Sequence, residues 1–363
     1  MKILRIKEKS IKLPAFFPDA THGAVKGVGA KDLVTENVEG IVVNTYHMLI
    51  DNNLESIKKH GGIHEFTKFP GIIITDSGGF QVMSLIRKNP ENGKITDEGI
   101  KFKMDGKIIF LTPKLCIQTQ LASGSDIVMC LDDCTDPSES LKEQEKSVER
   151  TLVWAERCKN YFDKKTAKRK DKPLLFGIVQ GGSSKKLRKK CAEGLTKIGF
   201  DGYAYGGWPV DKNKKFLSRI VSYTASLMPD NKPKYAMGVG KPEDIEKCVT
   251  YGYNLFDCVL PTRDARHQRL YVFDKNPVSK KIPKIAPKEK SQNKIKYSFL
   301  YIGKGKYKND QNPISQFCRC ETCAHYSRSY LYNLFKTSNP LALRLATIHN
   351  LRFYTDLMKG FQQ

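Results

Sequence analysis

With 363 residues, 40% of them hydrophobic and 28% charged, the chain can bury a sizeable core, and its composition excludes a disordered polymer. No run is long and apolar enough to cross a bilayer, and the start, MKILRIKEKS, lacks the apolar segment of a signal peptide, so a cytoplasmic protein with no membrane partner is expected. Lysine and arginine number 62 against 38 acidic residues, a net charge of +24 that attracts polyanions and makes nucleic acid the leading partner class.

After a short basic amino terminus, eight strand-like runs recur: AFFPDATHG, IVVNTYH, IIITDSGG, IVMCLDDCT, LLFGIVQGG, GYAYGG, YAMGVG and LFDCVLPT. They begin near Phe16, Ile41, Ile72, Ile127, Leu174, Gly202, Tyr235 and Leu255. Segments between them, such as Glu143–Phe162 and Lys214–Met228, suit helices. The alternation predicts a parallel sheet closed as a (β/α)8 TIM barrel, an α/β fold. Between Gln81 and Ser125 the alternating piece GIKFKMDGKIIFL reads as an inserted hairpin or small antiparallel sheet, near residues 90–112. Downstream of Arg269, Asp274–Asn312 is rich in lysine, including KIPKIAPKEKSQNKIK, and reads as a surface excursion. The last segment, LALRLATIHNLRFYTDLMKGF, has helical spacing behind a Ser-Asn-Pro start.

Cys318-x-Cys320-x-x-Cys323 supplies three thiolates within six residues, which suits tetrahedral zinc. His325 is too near Cys323 to complete the tetrahedron easily, whereas His349 on the final helix would staple the insert to the barrel. With every position filled by protein, one structural ion per chain is expected. The expected organisation is therefore a barrel over 1–274, a zinc-binding insert after the last strand over 275–338, and a closing helix over 339–363 that supplies His349.

In such a barrel, chemistry gathers where strands end. The ends here offer Asn44, Asp76, Asp132, Gln180, Gly206, Gly207, Gly238 and Asp257. Within Ile72–Gln81, a carboxylate at the end of a buried strand meets two glycines and an aromatic; an ordinary helix cap at Asp76 is the plainer alternative. Leu255–Arg266 adds Asp257, then Arg263 and Arg266 in a loop. Two carboxylates on one mouth suggest a nucleophile and a general acid/base, as in retaining glycosyl transfer, and the arginines suggest a phosphate-bearing substrate.

Taken together, DSGGFQ, GIVQGG, MGVGKPED, FDCVLPTRDAR and CRCETC followed by His349 resemble the tRNA-guanine transglycosylases of the bacterial type, with NTYH and DATHGAVKG fitting as well. The resemblance runs from about Pro14 to His349. It implies exchange of the wobble guanine of tRNAs with GUN anticodons for a 7-deazaguanine that leads to, or is, queuine. By the family's pattern Asp257 is the nucleophile, forming a covalent glycosyl-enzyme intermediate, and Asp76 is the general acid/base. Asp132, Gln180 and the Gly207 N–H resemble the groups that bind the base edge, and Phe80 and Met237 those that sandwich its plane. Gly238, Val239, Gly240, Lys241, Pro242, Glu243 and Asp244, with Thr262, Arg263, Asp264, Ala265 and Arg266, match the RNA-contacting segments. The family also leads us to expect a homodimer. Alternatives are a relative acting in the tRNA D-arm, one inserting deazaguanines into DNA, and a non-catalytic paralogue, which would tend to lose the acidic pair present here.

One loop departs from the pattern. After Gly206-Gly207 the family continues with Leu, a small residue and a Gly-Glu pair, but here the chain reads Trp208-Pro209-Val210-Asp211. The loop is expected to line the part of the pocket that receives the incoming base's substituent, so altered base selectivity is expected.

Overall fold

The computed structural model describes residues 2–51, 53–104, 106–136, 138–276 and 295–362. Residues 277–294 of the lysine-rich stretch read as a surface excursion lie outside these residues.

The eight predicted runs form one parallel sheet of eight strands: β1 (Ala15–Pro18), β2 (Gly40–Asn44), β3 (Ile72–Asp76), β4 (Ile127–Met129), β5 (Leu174–Val179), β6 (Gly202–Tyr205), β7 (Lys234–Ala236) and β8 (Leu255–Cys258). The hydrogen-bonded order runs β1-β8-β7-β6-β5-β4-β3-β2. The ring closes where Asp19 bridges Val42, with the Ala20 N–H donating to the Val42 carbonyl at 2.8 Å. Helices packed outside bury the outer strand faces, which is why these strands read as continuous apolar runs.

Side chains alternate across a strand, so every second residue points into the barrel. Phe17, Val42, Ile72, Ile74, Phe176, Ile178, Ala204, Tyr235 and Leu255 form one buried cluster with Ile127 and Met129, and this fills the interior. Leu4, Ile6, Ile11 and Leu13 join that cluster from the amino-terminal hairpin, Ile3–Ile6 against Lys9–Lys12, and plug the barrel floor. Carrying the inward series of β1, β3, β5, β7 and β8 one step further reaches Asp19, Asp76, Gln180, Met237 and Asp257 at the opposite end. The pleat that builds the core therefore also aims the polar groups.

Three elements depart from a plain barrel. Gly93–Thr96, Gly99–Met104 and Lys107–Leu111 form a three-stranded antiparallel sheet. Beyond β8, Arg269–Phe273 pairs antiparallel with Tyr297–Tyr301. The helix Leu341–Phe361 then crosses the barrel side, where Tyr354 donates to the Gly240 carbonyl at 2.7 Å and Asn350 donates to the carbonyls of Pro261 and Arg269 at 3.0 Å. Two helix expectations shift. Residues 214–217 form the return arm of a short hairpin, with Phe216 bridged to Val210, and the helix starts at Ser218. The arginines of the eighth-strand loop lie on a short helix, Leu260–Arg266, which Pro261 opens and whose last turn suits Arg263 and Arg266.

Candidate active site

At the carboxy-terminal end of the strands lies a cavity of about 380 Å³ whose lining includes Asp19, Asn44, Asp76, Phe80, Asp132, Gly207, Trp208, Met237, Gly238 and Asp257. A larger cavity of about 640 Å³ sits at the barrel floor, between Lys12, Glu39 and Lys359; it lacks any comparable convergence of strand-end groups.

Asp76 ends β3. Its Oδ1 accepts the Ser77 N–H at 2.8 Å and its Oδ2 accepts from Asn44 Nδ2 at 3.3 Å. Burial nevertheless pushes the carboxyl up to about 6, although hydrogen bonds from Ser77 and Gln81 pull the other way. The following turn needs glycine. Gly78 has φ +78°, and a Cβ there would sit 2.7 Å from the Tyr46 backbone nitrogen. That tight turn starts the helix Gly79–Lys88 and puts Phe80 on the cavity rim.

Asp257, on β8, is pushed by burial up to about 6, despite the Gly238 N–H that donates to its Oδ1 at 2.9 Å and a hydrogen bond from the buried Tyr235. The negative charge of Asp76 raises it further. Asp132 follows β4, and burial, then the charges of Asp76 and Asp133, push its carboxyl up to about 7. Gln180 Nε2 donates to Asp132 Oδ2 at 2.6 Å, so the two form a single polar edge. Gly207, at φ +88°, turns its backbone beside Gln180. Phe80, Met237, Asp132, Asp76 and Asp257, from four different βα units, thus face one cavity. Burial pushes the Cys134 thiol up to about 12 and holds Cys258 well above the thiol range, so neither is an ionised nucleophile at neutral pH.

Burial divides the segments expected to contact RNA. Val239, Pro242, Asp244, Thr262, Asp264 and Ala265 are buried, and Asp264 is engaged by Arg269 at 2.6 Å and by the Tyr271 hydroxyl. Lys241, Glu243 and Arg263 are exposed, and Arg266 is half-buried. A polyanion can therefore reach Lys241, Arg263 and Arg266, while their buried neighbours hold the two helix starts in place.

Three site groups escaped the sequence reading. Asp19 lies in PDATH just past β1, and its inward parity, two residues after Phe17, is the signal that marks it. Its carboxylate accepts from Thr21 Oγ1 at 2.7 and 2.9 Å. Tyr235 reads as ordinary core. Arg188 hides in the lysine-rich KKLRKK, yet it is fully buried and donates to the carbonyls of Val179, Gly182 and Gly206 at 2.6, 2.9 and 2.9 Å. Its guanidinium also stacks 4.2 Å from the Tyr205 ring centroid. It ties the ends of β5 and β6 together beneath Gln180 and Gly207.

Apart from the cavity, the ligand atoms of Cys318, Cys320, Cys323 and His349 all lie within 4.8 Å of one another, a group able to hold a metal ion. The His349 ring faces Cys323 Sγ with Nδ1 at 3.2 Å, while Nε2 lies 2.8 Å from the Tyr271 carbonyl. That carbonyl accepts an Nε2–H, which leaves the Nδ1 lone pair for a metal, the usual arrangement around a ligating histidine. His325 is exposed and stands outside the group.

A family model described as queuine tRNA-ribosyltransferase matches residues 1–363. Among curated proteins, queuine tRNA-ribosyltransferase of Mannheimia succiniciproducens is 42% identical over 354 residues, covering 97% of this chain and 85% of its own length. The protein of that name from Actinobacillus succinogenes is 41% identical over 358 residues, covering 98% and 86%, and that from Acinetobacter baylyi is 40% identical over 354 residues, covering 97% and 84%. With the match spanning barrel, cavity and cysteine group alike, the chain belongs to the queuine tRNA-ribosyltransferase family.

Proposed function

We propose that this protein is a transferase that removes guanine from the wobble position of tRNAs with GUN anticodons and installs a 7-deazaguanine in its place. The observation that carries this reading is the pair of half-buried carboxylates, Asp76 and Asp257, both raised to about 6 and both facing a cavity walled by Phe80 and Met237. Near neutral pH each can be ionised or protonated at small energetic cost, as a nucleophile and a proton carrier require.

Asp257, ionised and held by Gly238 and Tyr235, attacks the ribose anomeric carbon. The bond from that carbon to guanine N9 breaks as the new carbon–oxygen bond forms, and the departing base takes the proton held by Asp76. Asp76, now a carboxylate, removes the N9 proton of the incoming base, which attacks the same carbon and releases Asp257. Two displacements preserve the configuration. The Asp132 carboxylate and Gln180 read the base edge with the Gly207 N–H, and Lys241, Arg263 and Arg266 meet the phosphates. An anticodon loop makes extrusion of the target base inexpensive, because that base lies outside a duplex.

Cys318, Cys320, Cys323 and His349 hold one structural zinc ion per chain, which cross-links the segment after β8 to the long carboxy-terminal helix. The working assembly is a homodimer in the cytoplasm, which light scattering tests. Trp208, Pro209 and Val210 line the cavity, so the incoming base meets a bulky indole and a residue with no N–H, and the preference for the aminomethyl precursor over queuine is altered or relaxed. A competition assay with normal preference for the precursor refutes this last point.

The test of the main reading is incubation with GUN-anticodon tRNA and labelled guanine, then a chase with deazaguanines. Label should enter and be chased out, and Asp257→Asn should trap no covalent complex with RNA. Failure of the wild-type protein to incorporate guanine overturns the proposal.

A further inference from the structure

Next to the cavity stands a hairpin whose basic tip and solvent-facing indole surface the exchange chemistry leaves unexplained. After Gly207 the chain turns outward, Val210 bridges antiparallel to Phe216, and the Leu217 N–H donates to the Pro209 carbonyl at 2.9 Å. The tip carries a single acid, Asp211, whose Oδ1 accepts the backbone N–H groups of Asn213 and Lys215, both at 2.9 Å. Its charge is spent on the turn, so Lys212, Lys214 and Lys215 project from the tip, all exposed. At the base of the hairpin the Tyr205 hydroxyl donates to the Trp208 carbonyl at 3.3 Å, which fixes where the indole emerges.

Trp208 is 43% exposed and Phe80 37% exposed, an uncommon state for two large aromatics side by side. Their ring centroids are 5.7 Å apart at an interplanar angle of 63°, so the indole meets the Phe80 ring at its edge and keeps surface open to solvent. Both line the mouth of the cavity that takes the extruded base.

We propose that residues 208–217 form a clamp for the RNA strand beside the exchanged nucleotide: the Trp208 indole stacks on a flanking base, and Lys212, Lys214 and Lys215 meet the adjoining phosphates. This rests on the reading of the cavity as a tRNA base-exchange site. Extruding one base strips its neighbours of a stacking partner, and an indole at the rim replaces that partner while the base is in the cavity. Stacking on an aromatic tolerates any base, so the clamp holds the strand without adding sequence preference. The basic tip beside the aromatic matches the alternation of phosphate and base along a single strand.

The test uses the intact protein, an anticodon stem-loop carrying a GUN anticodon, and labelled guanine as the incoming base, which lacks the substituent that Trp208 would otherwise meet. Trp208→Ala should lower kcat/KM for the stem-loop by about 10- to 100-fold, the loss expected of one base-stacking contact, while Trp208→Phe keeps most of it. On RNA with an abasic flanking nucleotide, the Trp208→Ala penalty should vanish. The triple variant Lys212→Ala/Lys214→Ala/Lys215→Ala should make the slope of log affinity against log salt shallower by about 2, as expected for three lost contacts to a single strand. The protein has two tryptophans and Trp154 is fully buried, so RNA should also shield the one accessible indole from acrylamide. Exchange by Trp208→Ala within twofold of wild type, or a penalty that persists on abasic RNA, overturns the clamp. Absence of exchange by the wild-type protein overturns the underlying reading instead.

Discussion

Asp132 offers a quantitative check on the site. If it binds the donor edge of guanine, it must do so as a carboxylate, yet burial and two neighbouring acids push it up to about 7 in the free protein. Guanine should then bind preferentially to the deprotonated form. With that value, only about a tenth of the protein is competent at pH 6 and about nine-tenths at pH 8, so the apparent dissociation constant should fall roughly tenfold between them. Binding at pH 6 should release close to one proton, and at pH 8 almost none. Calorimetry in two buffers of different ionisation enthalpy measures both quantities. Asp132→Asn should bind guanine weakly at every pH with no proton release. The same substitution should raise the thermal midpoint at pH 8 but not at pH 4, because a carboxyl whose folded value is raised contributes stability at low pH and loses it as pH climbs through about 7. An affinity that is flat between pH 6 and 8 without proton release refutes the role given to Asp132.

Other outcomes follow from the scaffold. Asp126 is buried, which alone would raise its carboxyl, but His64, Lys7 and the Ile73 N–H outweigh burial and hold it far below the usual carboxylate range. Its stabilisation is therefore present above about pH 4 and lost as pH falls below that, and Asp126→Asn should cost about 3 kcal/mol in denaturant unfolding at pH 7. Unchanged stability would remove that cluster from the account of how the amino-terminal hairpin is anchored. Arg188→Met leaves three strand-end carbonyls without their shared donor, so a loss of about 3 kcal/mol is expected together with weaker guanine binding through the displaced Gly207. Normal guanine affinity in a folded Arg188→Met protein would free Gly207 from this support. Chelation, or His349→Ala, should lower the thermal midpoint and the bound zinc measured by atomic emission, from about one ion per chain towards zero. A metal content unaffected by His349→Ala would exclude His349 as a ligand.

Much of this molecule is written locally. A parallel strand covered on both faces must be apolar throughout, so eight buried runs ending in polar residues announce both a barrel and its working end, and Asp76, Asp132, Gln180 and Asp257 stand out there. Thiolates spaced as Cys318, Cys320 and Cys323 are near neighbours in any backbone conformation, so the metal group is legible too. What the sequence left open depends on approach between distant segments. The barrel's closure brings Asp19 to the acids of β3 and β8, and only packing shows that Thr262, Asp264 and Ala265 face inward while Arg263 reaches solvent. Nothing in KKLRKK marks Arg188 as the buried member, because a guanidinium goes inside only where three carbonyls, from two neighbouring strand ends, converge to receive it. Likewise, Trp208 reads as a bulky departure in a loop, and its place beside Phe80 on the rim follows from the turn at Gly207 and the strand bridge behind it. Composition and period specify which face each residue takes; the barrel's curvature decides which of those faces meet.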